Sequence, residues 1–191
     1  MFRKDDLFIR QASLNDASIL YQWDEKPHVK AATSNSGNVG FDADWEEELA
    51  ERDDGTEFFI AEVSGVPVGA MQIIDPLTER SHYWGTIGAN HRAIDIWIGE
   101  ESHLGRGYGT LMMRFAIDRC FSVAEVSAIL IDPLASNTQA HSFYRRFGFE
   151  FIERRQFDQE SDCFVFKLTR ESWRMHHTSR LGQSLHRTLL R

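Results

Sequence analysis

Apolar and polar positions change period several times along the chain, and each change marks an element. They alternate over residues 7–11, which predicts a first strand. Ser13 stands three residues before Asp16, a helix start that leads into Ile19, Leu20 and Trp23. Residues 27–40 are polar and glycine-bearing and read as a loop, and residues 42–53 as a short acidic helix. Two strands, 57–63 and 66–74, meet at Ser64-Gly65, a hairpin signal. Residues 75–92 are irregular, with Pro76, Gly85 and Gly88, before a strong strand over 93–99. That strand runs into Gly105-Arg106-Gly107-Tyr108-Gly109, after which Leu111, Met112, Phe115 and Ala116 share one helical face. Residues 124–132 form an apolar strand stopped by Pro133. Ser136 or Asn137 caps the next helix, whose apolar face holds Ala140, Phe143, Tyr144 and Phe147. Strands over 149–154 and 163–168 close the pattern, and beyond Trp173 the chain is basic and histidine-bearing. The order of elements predicts a mixed α/β fold around one sheet, in a single domain spanning 1–173. Residues 174–191 are then either a basic tail or a terminal helix.

Composition narrows the functions this fold can serve. At 191 residues the chain suits one domain, and its 42% hydrophobic content is enough for a core. A net charge of −8 argues against a nucleic-acid partner, because phosphate binding requires a basic face. It fits a small cationic ligand as well as an ordinary acidic surface. Cys120 and Cys163 are far apart and in no metal-like spacing, and the histidines form no metal motif, so neither a disulfide framework nor a metal is expected. The first residues lack a signal peptide's apolar stretch, and no run approaches the ~18 apolar residues of a membrane span. A cytoplasmic protein with no membrane partner, monomeric or homodimeric, is the expectation.

The alternating glycines at 105, 107 and 109 lie between a strand and a helix. Such a loop lets backbone N–H groups approach an anion at a helix N-terminus, or simply makes a tight turn. The Gly-Lys-Ser/Thr ending of a P-loop is absent, and Thr110 stands where the dinucleotide fingerprint requires glycine. From Leu104 to Glu150 the chain resembles the GCN5-related N-acetyltransferase (GNAT) superfamily. In that superfamily a loop of type Gln/Arg-x-x-Gly-x-Gly opens a helix, followed by a strand, an Asn cap and a helix ending Tyr-x-x-x-Gly-Phe. The matching residues are Gly107, Gly109, Asn137, Ala140, Tyr144, Gly148 and Phe149, with Leu104 at the usual Gln/Arg position. Ile94-Asp95, nine residues before Leu104, and Asp132-Pro133 followed by Ser136-Asn137 make the chain similar to the bacterial aminoglycoside 6′-N-acetyltransferases.

The resemblance implies a mostly antiparallel sheet, splayed where coenzyme A binds, and acetyl-CoA as the donor. It implies that the backbone of Leu104, Gly105, Arg106, Gly107, Tyr108, Gly109 and Thr110 holds the pyrophosphate. The strand at Ile96, Trp97 and Ile98 pairs with the pantetheine arm, and Asn137 and Ala140 lie beside it. Asp95 becomes the expected base: strand alternation sets it with Trp97, opposite Ile94, Ile96 and Ile98, free to face a cleft. Tyr144 becomes the expected acid for the departing thiolate. Asp132 is either an acceptor contact or a turn residue before Pro133. Glu160 is an acceptor contact or part of a solvated hairpin, and Trp84 and Trp23 either wall the acceptor cleft or pack internally. The implied activity is acetyl transfer to the 6′-amino group of an aminoglycoside. Acyl transfer to a siderophore precursor, polyamine or protein N-terminus, or coenzyme A binding without catalysis, are the alternatives.

Overall fold

The computed structural model describes residues 7–37, 40–41, 43–50, 54–159 and 161–175. Seven strands form one sheet: β1 (Leu7–Gln11), β2 (Glu57–Val63), β3 (Val66–Ile74), β4 (His91–Ile98), β5 (Ala128–Ile131), β6 (Glu150–Gln156) and β7 (Asp162–Thr169). Their spatial order is β1-β2-β3-β4-β5-β7-β6, antiparallel except for the parallel pair β4–β5. A parallel pair needs a crossover, and α4 (Tyr108–Ser122) supplies it. The β2–β3 hairpin turns on Ser64 and Gly65, both at positive φ (53° and 77°), as a two-residue hairpin loop requires.

Helices cover both faces. α4 and α5 (Thr138–Arg145) lie on one face, over a core of Met71, Ile73, Ile94, Met112, Ile117, Phe149 and Phe166. On the other face α1 (Ala17–Asp24), α2 (Pro27–Thr33) and α3 (Trp45–Leu49) enclose Leu20, Trp23, Trp45, Phe58, Ile60 and Trp97. Strand alternation thus sends Ile94 to the first core and Trp97 to the second.

Several elements differ from the sequence reading. Residues 27–33 are helical rather than part of a loop: Pro27 takes the first helical position, where its missing N–H costs nothing, and Val29 buries. The acidic helix is limited to Trp45–Leu49, with Asp44 accepting from the Glu47 N–H. β5 starts at Ala128 rather than 124. Arg170 donates to the carbonyls of Phe121, Val123 and Val126, so the polar groups of that stretch are spent on a turn rather than a sheet ladder. Asn137, not Ser136, caps α5, its Oδ1 accepting from the Ala140 N–H at 3.0 Å. Residues 170–175 are helical.

Candidate active site

The site begins where two strands part. β4 pairs with β5 only at His91–Ala93, while its ladder with β3 continues to Ile98. The cause lies in β5: Asp132-Pro133 ends it, and the chain bends toward β7, where Pro133 O accepts from the Phe164 N–H and the Ala135 N–H donates to Asp162 O. From Ile94 to Ile98 the edge of β4 that faced β5 is therefore free of strand pairing. It forms the floor of a cleft of about 1750 Å³.

At one end of the cleft is the glycine loop. Gly105 (φ 69°) and Gly107 (φ 90°) adopt the left-handed region, and Gly107 is the N-cap of the 15-residue α4. The first N–H groups of a helix have no intrahelical partner and carry its positive end, so those of α4 suit an anion. Leu104, Gly105, Gly107, Tyr108, Gly109 and Thr110 line the cleft, with the Tyr108 side chain packed into the core, while Arg106 is exposed and outside the lining. Only the backbone of Tyr108 is left for an anion. On the facing wall stand Asn137, Ala140 and Tyr144 from α5. The Ala140 N–H is taken by the Asn137 Oδ1 cap, so of the Asn137 amide it is the N–H₂ that remains as a donor.

Asp95, Asp132 and Tyr144 come together at the splay. Asp95 is half-buried, and its carboxylate accepts no hydrogen bond from a described residue. Burial first, and the Asp132 carboxylate second, push Asp95 up to about 7. Burial pushes Asp132 up to about 6, opposed by a hydrogen bond from Tyr83 and by Arg155. Both carboxylates keep some solvent contact in the cleft, and that water tempers the penalty. Burial raises the Tyr144 phenol as well, aided by both carboxylates, so it stays protonated through neutral pH. The remaining cleft wall carries Glu47, Glu48, Asp54 and Glu79, with Arg80 4.0 Å from Asp54.

Of the tryptophans, Trp84 lines the cleft but Trp23 does not. Trp23 is fully buried on the inward face of α1, its indole N–H donating to Glu100 Oε1 at 2.9 Å, so it cannot wall the acceptor space. Trp97 is not the open-edge residue expected: its backbone N–H and C=O turn to Ala70 of β3, leaving those of Ile96 and Ile98 on the open edge, and its indole packs on Phe41 and Trp45. Glu160 lies outside the described residues. The sequence reading missed Tyr83, whose Oη donates to Asp132 Oδ2 at 2.6 Å. It sits in the aperiodic stretch 75–92, where no spacing signals a partner 49 residues away. Among the described residues, no three His, Cys, Asp or Glu side chains gather as metal ligands, and no helix is long and apolar enough to cross a membrane.

A splayed β4–β5 edge, with a glycine-opened helix at one end and half-buried acids in the gap, defines an acyl-transfer fold. Residues 13–157 match the family described as an acetyltransferase (GNAT) domain, and the chain belongs to that family. It is an N-acetyltransferase of GNAT type. It is similar to the aminoglycoside N(6′)-acetyltransferase type 1 of Klebsiella pneumoniae, 28% identical over 152 residues, 76% of this chain and 75% of that one. A kanamycin resistance protein of Rhizobium radiobacter is 36% identical over 75 residues, 39% of this chain and 69% of that one. Among solved structures, AAC(6′)-Ib in complex with ribostamycin and coenzyme A superposes with a TM-score of 0.75 at 25% identity, covering 89% of this chain and 97% of that one.

Proposed function

We propose that the protein transfers an acetyl group from acetyl-CoA directly to a primary amine of a cationic small molecule, the 6′-amino group of an aminoglycoside. The observation that carries this is the open edge of β4, which joins an anion-binding helix end to a cleft lined by carboxylates. The relatives named for the same 6′ chemistry support the choice of acceptor.

Acetyl-CoA, when bound, supplies an activated thioester. The backbone N–H groups at the start of α4 hold its pyrophosphate. The Ile96 N–H and C=O and the Ile98 N–H, which face the open edge, pair with its pantetheine arm, and an N–H there polarises the thioester carbonyl, a contribution of ~3 kcal/mol per donor at such sites. Asn137 and the Ala140 methyl complete this wall.

Asp95 attracts the acceptor's ammonium and takes its proton, directly or through water. A carboxylate raised toward 7 is matched to that work at neutral pH, and positioned acid–base groups contribute roughly 10²–10⁴-fold. Tyr144, still protonated, donates to the departing thiolate sulfur. Asp132 holds the cationic acceptor beside Asp95, and the carboxylates of the far wall meet its other ammonium groups. No enzyme nucleophile is required. Both cysteines are buried, and burial pushes each thiol up to about 12.

The test is thiol release from acetyl-CoA with kanamycin, ribostamycin, spermidine, hydroxylysine and short peptides as acceptors. Saturable turnover confined to the 6′-amino aminoglycosides, with the product acetylated at that nitrogen, is expected. Turnover on another amine alone would overturn the acceptor, and coenzyme A binding without any turnover would overturn catalysis.

A further inference from the structure

The stretch between β3 and β4 carries no regular element from residue 75 to 90, yet it is tied down at both sides of the cleft. Asp75 pairs with Arg92 at 2.7 Å. Tyr83 lies flat on Phe157, ring centroids 4.2 Å apart and planes at 7°, and Trp84 meets both rings edge-on. Arg155 donates to Trp84 O at 3.1 Å, and its guanidinium lies 5.2 Å from the Phe157 ring. These contacts clamp the segment onto the β6–β7 hairpin and aim the Tyr83 hydroxyl at Asp132.

We infer that Tyr83 is a positioning residue: clamped between the Phe157 ring and Asp132, it occupies Oδ2 and presents Oδ1 to the acceptor's ammonium. This role presupposes the acetyl transfer proposed above. It also separates the tasks of the two carboxylates, since Asp95 has no such donor and Asp132 does. A donated O–H favours the ionised form of its partner. The groups facing Asp132 are Tyr83 and Trp84 from this segment, Asp95 from β4, Tyr144 from α5, and Arg155 and Cys163 from the hairpin. Of the hydrogen-bonding and charged groups among them, the Tyr83 hydroxyl has the largest effect in favour of the anion. The phenol itself is held well above its ordinary value by burial and by Asp132, so it remains the donor at all neutral pH values. With Tyr83 in place Asp132 binds a cation, and Asp95 is left to accept the proton.

Tyr83→Phe keeps the stack on Phe157 and removes only the hydroxyl. Carboxyl ¹³C NMR, with Asp132→Asn to assign the signal, is expected to show the Asp132 titration midpoint rising by about one pH unit in Tyr83→Phe. The kanamycin KM is expected to rise roughly ten-fold with kcat changed by less than about two-fold, and coenzyme A affinity to stay the same. Phe157→Leu, which loosens the clamp and leaves the hydroxyl, is expected to shift both in the same direction by less. An unmoved midpoint in Tyr83→Phe, or a moved midpoint with unchanged KM, would overturn the role. The titration requires no acceptor, so a protein inactive on every amine tests Tyr83 and the proposed reaction separately.

Discussion

The backbone of Gly99 lies against the indole of Trp23, so close that a β-carbon at 99 would stand 2.0 Å from the ring. The contact joins α1 to the end of β4, just ahead of the glycine loop. Glu100 extends the link by accepting from Trp23 Nε1 and pairing with Lys26 at 2.7 Å. The His28 ring N–H donates to Ile98 O at 3.0 Å. Gly99→Ala is expected to destabilise the fold by about 3 kcal/mol, since Trp23 has no room to withdraw. Urea unfolding measures this, and a loss below about 1 kcal/mol would show that the contact relaxes easily.

The acid limb of the rate profile follows from the carboxylates. Asp95 must be ionised to take a proton, and burial together with Asp132 raises it. With kanamycin, kcat/KM is expected to climb through about pH 6–7 and level off above. Asp95→Asn removes the base and is expected to lower kcat by roughly 10²–10⁴-fold while coenzyme A binding persists. Wild-type rates in that variant would remove Asp95 from the chemistry.

The same group sets a pH-dependent cost in stability. Its folded value, about 7, lies above the ordinary 3.8, so the folded state binds the proton more tightly. The stabilisation this confers is complete below about pH 4 and is lost as pH rises through about 7. At pH 8 the wild-type protein therefore carries a buried charge that Asp95→Asn does not. Thermal unfolding is expected to favour the variant by about 1–3 kcal/mol at pH 8 and by little at pH 4. Equal differences at the two pH values would contradict the linkage.

Tyr144→Phe separates acid catalysis from packing. The ring packs at the edge of Phe143 and Phe149, contacts that phenylalanine preserves. Unfolding midpoints are expected to change little, and kcat to fall about 10–100-fold. An unchanged kcat would assign the thiolate's proton to water.

Asp16 provides a prediction of the opposite sign. Arg10, hydrogen-bonded to both Asp16 oxygens at 2.7 and 2.8 Å, holds the buried carboxyl below its ordinary value. That stability is present above about pH 4 and is lost as pH falls through the lowered value. Asp16→Asn is expected to cost about 2 kcal/mol at pH 7, with the difference closing in strong acid.

Much of this could be read along the chain because it is local. Alternation over Ile94, Asp95 and Ile96 fixes which face carries the acid, since successive strand side chains point oppositely. The glycines at 105 and 107 announce a backbone turn into a helix, and Asn137 its cap, because both are set within a few residues. The helix at Pro27–Thr33 was hidden by its polarity, as only Val29 buries fully there. Trp23 reads by default as a packing residue and only by resemblance as a cleft wall, and a partner 77 residues away decides for the core. The opening between β4 and β5, the meeting of Asp95 with Asp132, and the clamp of Tyr83 on Asp132 and Phe157 exist only once the chain is folded. Each depends on segments tens of residues apart, and periodicity reports only how a residue sits relative to its near neighbours. Sequence determined the elements and the chemistry each one carries; the tertiary structure decided which of those chemistries face one another.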